Sequence, residues 1–272
     1  MIDRQELTDL ARELSLALNV VEKDYVLGWL LAGISAHVAL TGHWVFKGGT
    51  CLKKCWFETY RFSEDLDFTI TEEAHLDQDF LLHTFREIAD WVYEESGIEI
   101  PVDQIKFKVS RFQGGTYAEG RVYYVGPLQQ RRNLARIKFD LTTKERLVLE
   151  PEEREVHHPY SDRPEAGIRA LCYCFEEVFA EKVRALAERE RPRDLYDVVH
   201  LYRHDEIRPD RSVVMHTLRE KCAFKNIPVP TRDSLLTQSA REKLLAEWED
   251  MLAHQLPVLP PFEHFWTDLP QV

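Results

Sequence analysis

Positive charge is the first thing that this sequence lacks. Lys and Arg number 35 against 47 Asp and Glu, which gives a formal net charge of −12 over 272 residues. This balance argues against a protein that coats nucleic acid without sequence preference, because such proteins neutralise phosphates with an excess of Lys and Arg. It leaves RNA binding through a local basic patch open. With 44% hydrophobic residues, the chain is long enough for one large domain or two modest ones.

Cysteine is scarce as well, and its spacing does not fit a zinc framework. The five cysteines are odd in number and lack zinc-type pairing: Cys51, Cys55, Cys172, Cys174 and Cys222. No Ser-His-Asp or Cys-His arrangement is recognisable by spacing either. We interpret the cysteines as small buried apolar side chains in a reducing compartment.

Long hydrophobic runs, repeats and targeting signals are also missing. The longest apolar run, residues 26–40, is too short to span a bilayer and contains Ser35 and His37. The first residues, 1–6, do not have the pattern of a signal peptide. We therefore expect a cytoplasmic protein without a membrane segment, and we expect a monomer.

The chemistry concentrates in residues 46–68. A short predicted strand, residues 44–46, leads into Lys47-Gly48-Gly49-Thr50. A strand-like run that begins at residue 62 then carries two acids, Asp65 and Asp67. Because side chains alternate along a strand, these two carboxylates share one face, about 7 Å apart. Two carboxylates beside a glycine turn predict a site for Mg²⁺ and nucleotide phosphates. The alternatives are a plain tight turn and a solvated strand edge.

A third acid is common in two-metal chemistry, and Asp140 is the first candidate. In residues 136–142 apolar side chains alternate with polar ones, and Asp140 belongs to the polar set. If this strand neighbours the acidic strand, Asp140 shares the face of Asp65 and Asp67. The alternative is an ordinary polar outer face.

Further candidates lie in the second half of the chain. Lys182 borders the apolar stripe of one predicted helix, and Asp194 and Asp197 share a face of the next. A lysine and an aspartate facing a cleft can hold triphosphate oxygens, although Arg193 and Asp197 can also form a solvated i,i+4 pair. Two basic clusters are candidates for contacting an RNA backbone or NTP phosphates: Arg131, Arg132, Arg136 and Lys138, and Arg184, Arg189, Arg191 and Arg193.

The predicted elements change character near residue 150. Helices over 4–18, 21–39 and 76–96 alternate with strands that include 104–109, 121–125 and 134–142. After residue 151 we expect strands to cease and helices to continue, the first opening at 164. The pattern predicts an α+β fold: a small mixed sheet flanked by helices in residues 1–150, then an all-helical lobe in residues 151–272 that completes a shared cleft.

The assembled motifs resemble the AbiEii/AbiGii-type nucleotidyltransferase toxins. This family belongs to the polymerase-β-like nucleotidyltransferase superfamily and includes the MenA-type toxins. The resemblance covers most of residues 20–200 and consists of four segments: EKDY at 22–25, KGGTCLKK at 47–54, RFSEDLDF at 61–68 and RDLYD at 193–197.

The resemblance implies an enzyme that binds an NTP with Mg²⁺ or Mn²⁺ and transfers a nucleotide to an acceptor hydroxyl. For MenA-type relatives it implies the 3′ end of tRNA as acceptor, and for the family an AbiEi-type antitoxin as partner in phage defence. The implied nucleotide-binding residues are Lys47, Gly48, Gly49, Thr50, Ser63 and Lys182. The implied metal ligands are Asp65 and Asp67, with Asp140 and Asp194 competing for the third carboxylate.

The same residue pattern is compatible with two other functions. The same residues can serve nucleotidylation or phosphorylation of a protein, since these reactions need the same phosphate and metal binding. A nucleotide-binding regulatory module without turnover is the second alternative.

Overall fold

The computed structural model describes residues 1–58, 60–112, 115–204 and 207–272. They divide into two compact units. The first unit comprises Met1–Lys144 and Pro151–Cys172, and the second comprises Glu145–Glu150 and Tyr173–Val272. None of the described helices is long and apolar enough to cross a membrane.

Among its described residues, the first unit has four α-helices. They are α1 (Arg4–Glu13), α2 (Leu18–Ala36), α3 (Gly48–Cys51) and α4 (Gln78–Ser96). Helix α3 continues directly into a turn of π-helix, Leu52–Trp56. The start of α4 is fixed by Asp77, whose carboxylate accepts hydrogen bonds from the backbone N–H groups of Asp79 and Phe80. Helix α2 is buried on almost every side, as its nearly continuous apolar sequence requires.

The described residues of the first unit form one seven-stranded mixed sheet. Its strands are β1 (Trp44–Lys47), β2 (Asp65–Ile70), β3 (Lys106–Phe112), β4 (Gly115–Tyr124), β5 (Ala135–Thr142), β6 (Glu152–Glu155) and β7 (Arg169–Cys172). They lie in the order β3-β4-β5-β2-β1-β7-β6. Strand β2 is parallel to β5 and β1 is parallel to β7, whereas the other neighbours are antiparallel. The mixed sheet predicted from the sequence is confirmed.

One face of the sheet is apolar and holds the core. Leu66 and Phe68 of β2 and Phe139 of β5 are at most 1% exposed, and the ring of Phe139 lies 4.9 Å from that of Phe85 in α4. Each such side chain contributes about 1.5–3 kcal/mol by burial. A slip of one residue in β2 would exchange the core face for the acidic one, so the alternation fixes the register.

The prediction that strands cease near residue 151 is wrong. Strands β6 and β7 pair with each other, and β7 lies beside β1 with Cys172 opposite Phe46. Both strands have only four residues, which is too few for a periodic pattern. Strand β1, the second partner of β7, lies more than 120 residues earlier in the chain. Because residues 169–172 form a strand, the helix predicted to open at 164 begins instead at Phe175.

The second unit contains six α-helices and, among its described residues, no strand. They are α5 (Phe175–Arg189), α6 (Pro192–Arg203), α7 (Arg211–Lys225), α8 (Arg232–Leu235), α9 (Gln238–Leu252) and α10 (Phe262–Asp268). The segment 145–150 is held to α5 because the Glu177 carboxylate accepts the backbone N–H groups of Val148 and Leu149. Lys221 of α7 lies 2.7 Å from the same carboxylate. The predicted C-terminal helices are confirmed, but they follow residue 172 and do not fill the predicted range 151–272, because β6 and β7 lie within it.

Candidate active site

Three carboxylates lie on the polar face of the sheet at its centre. Strands β2 and β5 are parallel neighbours, and their register places Asp67 beside Asp140 and Asp65 beside Lys138. Register partners on adjacent strands point to the same face, and residues two apart on one strand do so as well. Asp65, Asp67 and Asp140 are therefore together on one face, half-buried, as predicted from the alternation in each strand.

Asp140 is held by two donors on the same face. The Tyr117 hydroxyl donates to its Oδ1 at 2.5 Å, and the Lys138 ammonium donates to its Oδ2 at 2.8 Å. Burial, the hydrogen bond and the charge of Asp140 raise the pKa of Tyr117, so this hydroxyl stays a donor. Burial opposes the charge on Lys138, but the hydrogen bond and charge of Asp140 outweigh it and raise the pKa of Lys138.

The glycine turn lies against the acidic strand. Strand β1 pairs with β2 so that Lys47 is opposite Asp67, and α3 begins at the next residue, Gly48. Gly48 has φ +81°, and a Cβ added there would lie 2.3 Å from Oδ2 of Asp67. Glycine is therefore required twice, for the left-handed backbone and for the close approach of the carboxylate.

The second glycine, Gly49, allows the side chains of Arg61 and Ser63 to lie close to the backbone of the turn. A Cβ added at Gly49 would lie 2.6 Å from Nη2 of Arg61 and 3.1 Å from Oγ of Ser63. Thr50, which is 1% exposed, donates its hydroxyl to the Asp65 carbonyl at 2.5 Å. These contacts attach the start of α3 to β2 and place one guanidinium and one hydroxyl beside the turn.

Residues of α2 brace this region. Lys23 lies 2.6 Å from the carboxylate of Glu64, the residue just before β2. Lys54, whose side chain is fully buried, donates to Asp24 at 2.6 Å, and Tyr160 donates to the same carboxylate at 2.9 Å. The EKDY segment therefore fixes the turn that follows Thr50 and the entry to the acidic strand.

Lys182 of α5 and two acids of α6 form a network in the second unit. The Lys182 ammonium lies 2.7 Å from Oδ2 of Asp197 and 3.8 Å from Oδ1 of Asp194. Arg189 also lies 2.8 Å from Oδ1 of Asp194. Oδ2 of Asp194 is buried and has no hydrogen-bond partner among the described residues. An unsatisfied carboxylate oxygen is costly to bury, which suits a group that receives a ligand.

Sequence reasoning missed three members of these clusters. Tyr117 reaches Asp140 across the pairing of β4 with β5, which no local pattern indicates. Lys138 lies two residues before Asp140 on the same strand and was noted only as part of a basic cluster. Asp197 was considered as a partner of Arg193, and the structure places it against Lys182. The spacing of Asp194 and Asp197 was the available signal, because residues three apart share a helix face.

Most of this sequence matches one known protein family. The model of one family, described as nucleotidyl transferase AbiEii toxin of a type IV toxin–antitoxin system, matches residues 29–268. The chain belongs to this family. AbiEii membership confirms the family predicted from the four motifs and makes the chain a nucleotidyltransferase toxin. It implies an NTP substrate, in general a divalent metal, and an antitoxin partner.

Solved structures support the fold of this AbiEii protein. MenT4, a nucleotidyltransferase toxin from Mycobacterium tuberculosis H37Rv, matches with a TM-score of 0.66 and 18% identity, over 100% of this chain and 88% of that one. JHP933 from Helicobacter pylori matches with a TM-score of 0.58 and 16% identity, over 94% and 90%. At such identities the likeness concerns the fold alone. Comparison with curated proteins gives no match.

Proposed function

We propose that this AbiEii protein transfers a nucleotide from an NTP to the 3′ hydroxyl of tRNA, using Mg²⁺ at its acidic face. The observation that carries the proposal is the parallel register of β2 and β5, which sets Asp67 beside Asp140. The pairing of β1 with β2 brings Gly48 against the same Asp67 carboxylate. An AbiEi-type antitoxin is the partner that we propose to restrain this activity.

The donor set on the acidic face fits a hard divalent cation. Carboxylate oxygens are the ligands that Mg²⁺ takes in nucleotide enzymes, together with substrate phosphates. Asp65, Asp67 and Asp140 would hold the ion, which when bound would neutralise charge on phosphate oxygens. The Lys138 ammonium lies 2.8 Å from Oδ2 of Asp140 and contributes positive charge to the same face.

The glycine turn and the residues beside it bind and orient the triphosphate. We assign phosphate contacts to the segment Lys47-Gly48-Gly49-Thr50 and to Ser63. Arg61 and Ser63 lie beside Gly49, and guanidinium and hydroxyl groups are strong donors to phosphate oxygens. Thr50 contributes by fastening this turn to β2 through its bond to Asp65.

The transfer step is an in-line displacement at the α-phosphorus. A bond forms between the acceptor hydroxyl oxygen and the α-phosphorus while the bond to the bridging oxygen breaks. Pyrophosphate leaves, and the proton of the acceptor hydroxyl is released to solvent. The protein supplies position and charge compensation rather than covalent chemistry. Fixed donors beside the turn hold the phosphates without rearranging during the step.

We further propose that Lys182 and Asp194 take part in transfer. The support is local: a buried lysine shared by two carboxylates, and a buried carboxylate oxygen on Asp194 without a partner. For the third metal-binding carboxylate we choose Asp140 over Asp194. Asp140 is beside Asp67 in the sheet, whereas Asp194 is already engaged by Arg189 and Lys182.

The acceptor is identified by following a label. The protein is incubated with each NTP labelled at the α-phosphate, together with tRNA, other RNA and lysate protein. We expect label on tRNA, lost when EDTA is added and lost when the tRNA 3′ end has been oxidised with periodate. The oxidised tRNA is the matched control, because it differs only at the proposed acceptor.

Other outcomes would contradict the proposal in distinguishable ways. Label on protein and none on RNA would assign protein nucleotidylation. Transfer from NTP labelled at the γ-phosphate, without transfer from the α-label, would assign phosphorylation. Equal labelling of intact and oxidised tRNA would exclude the 3′ hydroxyl as acceptor.

A further inference from the structure

Three thiols converge inside the first unit, next to the glycine turn. Cys51 is the last residue of α3, Cys55 lies in the π-helical turn, and Cys172 is the last residue of β7. Their sulfur atoms all lie within 4.8 Å of one another. Cys51 and Cys172 are fully buried and Cys55 is 7% exposed. The sequence-based interpretation as separate buried apolar side chains does not anticipate this convergence.

The fold explains the convergence. Cys51 and Cys55 are four residues apart, which places them on one side of a helical turn, and the π-helical turn between them is a local widening of the kind found at functional sites. Strand β7 brings Cys172 to the same place because it lies beside β1, with Cys172 opposite Phe46. Two distant parts of the sequence therefore supply three ligands to one point.

The spacing suits a single thiophilic ion. At a metal–sulfur bond of about 2.3 Å, three sulfurs around one ion in a plane lie about 4 Å apart. The sulfurs of these cysteines therefore need to approach one another by less than about 1 Å. Thiolates select Cu⁺ and Zn²⁺ over hard cations such as Mg²⁺, so this site would not compete for the ion of the acidic face.

Positive charge lies beside the thiols, and a cavity borders one of the three cysteines. Arg154 donates to the Cys55 carbonyl at 2.8 Å, and the charges of Arg154 and Lys54 act on the Cys55 sulfur. Three thiolates around Zn²⁺ or Cu⁺ leave net negative charge, which these cations offset. Cys55 lines a cavity of about 420 Å³ together with His157 and Arg154, so one of the three cysteines borders a cavity.

We propose that Cys51, Cys55 and Cys172 form a binding site for one thiophilic cation, Zn²⁺ or Cu⁺. The ion joins the turn that follows Thr50 to strand β7, two segments that are more than 110 residues apart in the chain. Such a link braces the turn that carries Gly48 and Gly49. The site is independent of the proposed tRNA chemistry, since it needs no nucleotide.

The test uses the full chain, reduced and freed of metal. Zn²⁺ and Cu⁺ are titrated separately against a competing chromogenic chelator, and X-ray absorption at the metal edge counts the sulfur ligands in the wild-type chain. We expect one ion per chain with three sulfur ligands at about 2.3 Å. The ion that the protein retains against the tighter-binding chelator is the one that the site selects.

Variants locate the site. The Cys172→Ala and Cys55→Ala variants should bind the ion at least tenfold more weakly than the wild type. Cys222 is a buried cysteine of α7, and the Cys222→Ala variant should bind the ion as the wild type does. Absence of an ion with three sulfur ligands in the wild-type chain would overturn the proposal. Unchanged affinity in folded Cys172→Ala, or a disulfide between Cys51 and Cys55 under the titration conditions, would overturn it too.

Discussion

Replacing Gly48 by alanine tests how the turn and the acidic strand fit together. The added methyl group would lie 2.3 Å from Oδ2, 3.1 Å from Cγ and 3.3 Å from Cβ of Asp67. Rotation of the carboxylate alone cannot relieve the contact, because Cβ does not move with it. The side chain of Asp67 or the turn itself must shift.

Gly42 is a matched control for the backbone strain. It has φ +79°, close to the +81° of Gly48, and a Cβ added at Gly42 would meet nothing within 4 Å. A left-handed alanine costs about 1–2 kcal/mol, so Gly42→Ala should lose that much free energy of unfolding. Gly48→Ala should lose about 0.5–1.5 kcal/mol more, since Asp67 is forced from its rotamer.

Activity separates the two variants further. A misplacement of about 1 Å in a catalytic constellation costs about 100-fold in rate, and we expect that loss in Gly48→Ala and wild-type transfer in Gly42→Ala. Urea unfolding measures the stabilities, and transfer of α-labelled nucleotide measures the activity. Equal activity of the two variants would refute the argument that Gly48 exists to admit the Asp67 carboxylate.

Three further predictions concern other charged or titrating groups. Burial lowers the pKa of His158 to about 3, and neither ring nitrogen has a hydrogen-bond partner among the described residues. The unfolded chain takes up this proton from about pH 6.5 downward, so His158 should contribute a loss of about 1.4 kcal/mol of unfolding free energy per pH unit between pH 6.5 and 3. Urea unfolding at several pH values should show a flatter pH dependence of stability for His158→Leu, and an unchanged pH dependence in that variant would contradict the prediction. Lys54→Met should cost about 3–5 kcal/mol in urea unfolding by leaving Asp24 unpaired, and adding Asp24→Asn should restore part of it; no recovery would contradict the pairing. Lys182→Met should lower transfer about 100-fold without loss of the fold by circular dichroism, and full activity would remove Lys182 from the reaction.

The acidic strand was predictable because its signal is local. Asp65 and Asp67 alternate with Leu66 and Phe68, and a period of two specifies both the strand and the shared face. Asp140 was predictable only as a member of a second alternating strand. That it lies beside Asp67 depends on a parallel pairing across some 70 residues, which propensity and periodicity do not encode.

Short elements escaped prediction for the same physical reason. Strand β7 has four residues, and its stability comes from its neighbours β1 and β6 rather than from its own sequence. The convergence of Cys172 with Cys51 follows from that pairing and was equally out of reach. Tyr117 was missed because nothing near it in the sequence indicates that its hydroxyl faces Asp140.

The most direct test of the account is nucleotide transfer by neighbouring carboxylate variants of β2. Asp67→Asn and Asp65→Asn change residues of the acidic face, and Glu64→Gln changes the adjacent acid, which instead pairs with Lys23 at 2.6 Å. The account predicts that both aspartate variants lose transfer of α-labelled nucleotide by about 1,000-fold while Glu64→Gln retains it. Retained transfer in folded Asp67→Asn and Asp65→Asn would contradict the claim that the acidic face is the active site.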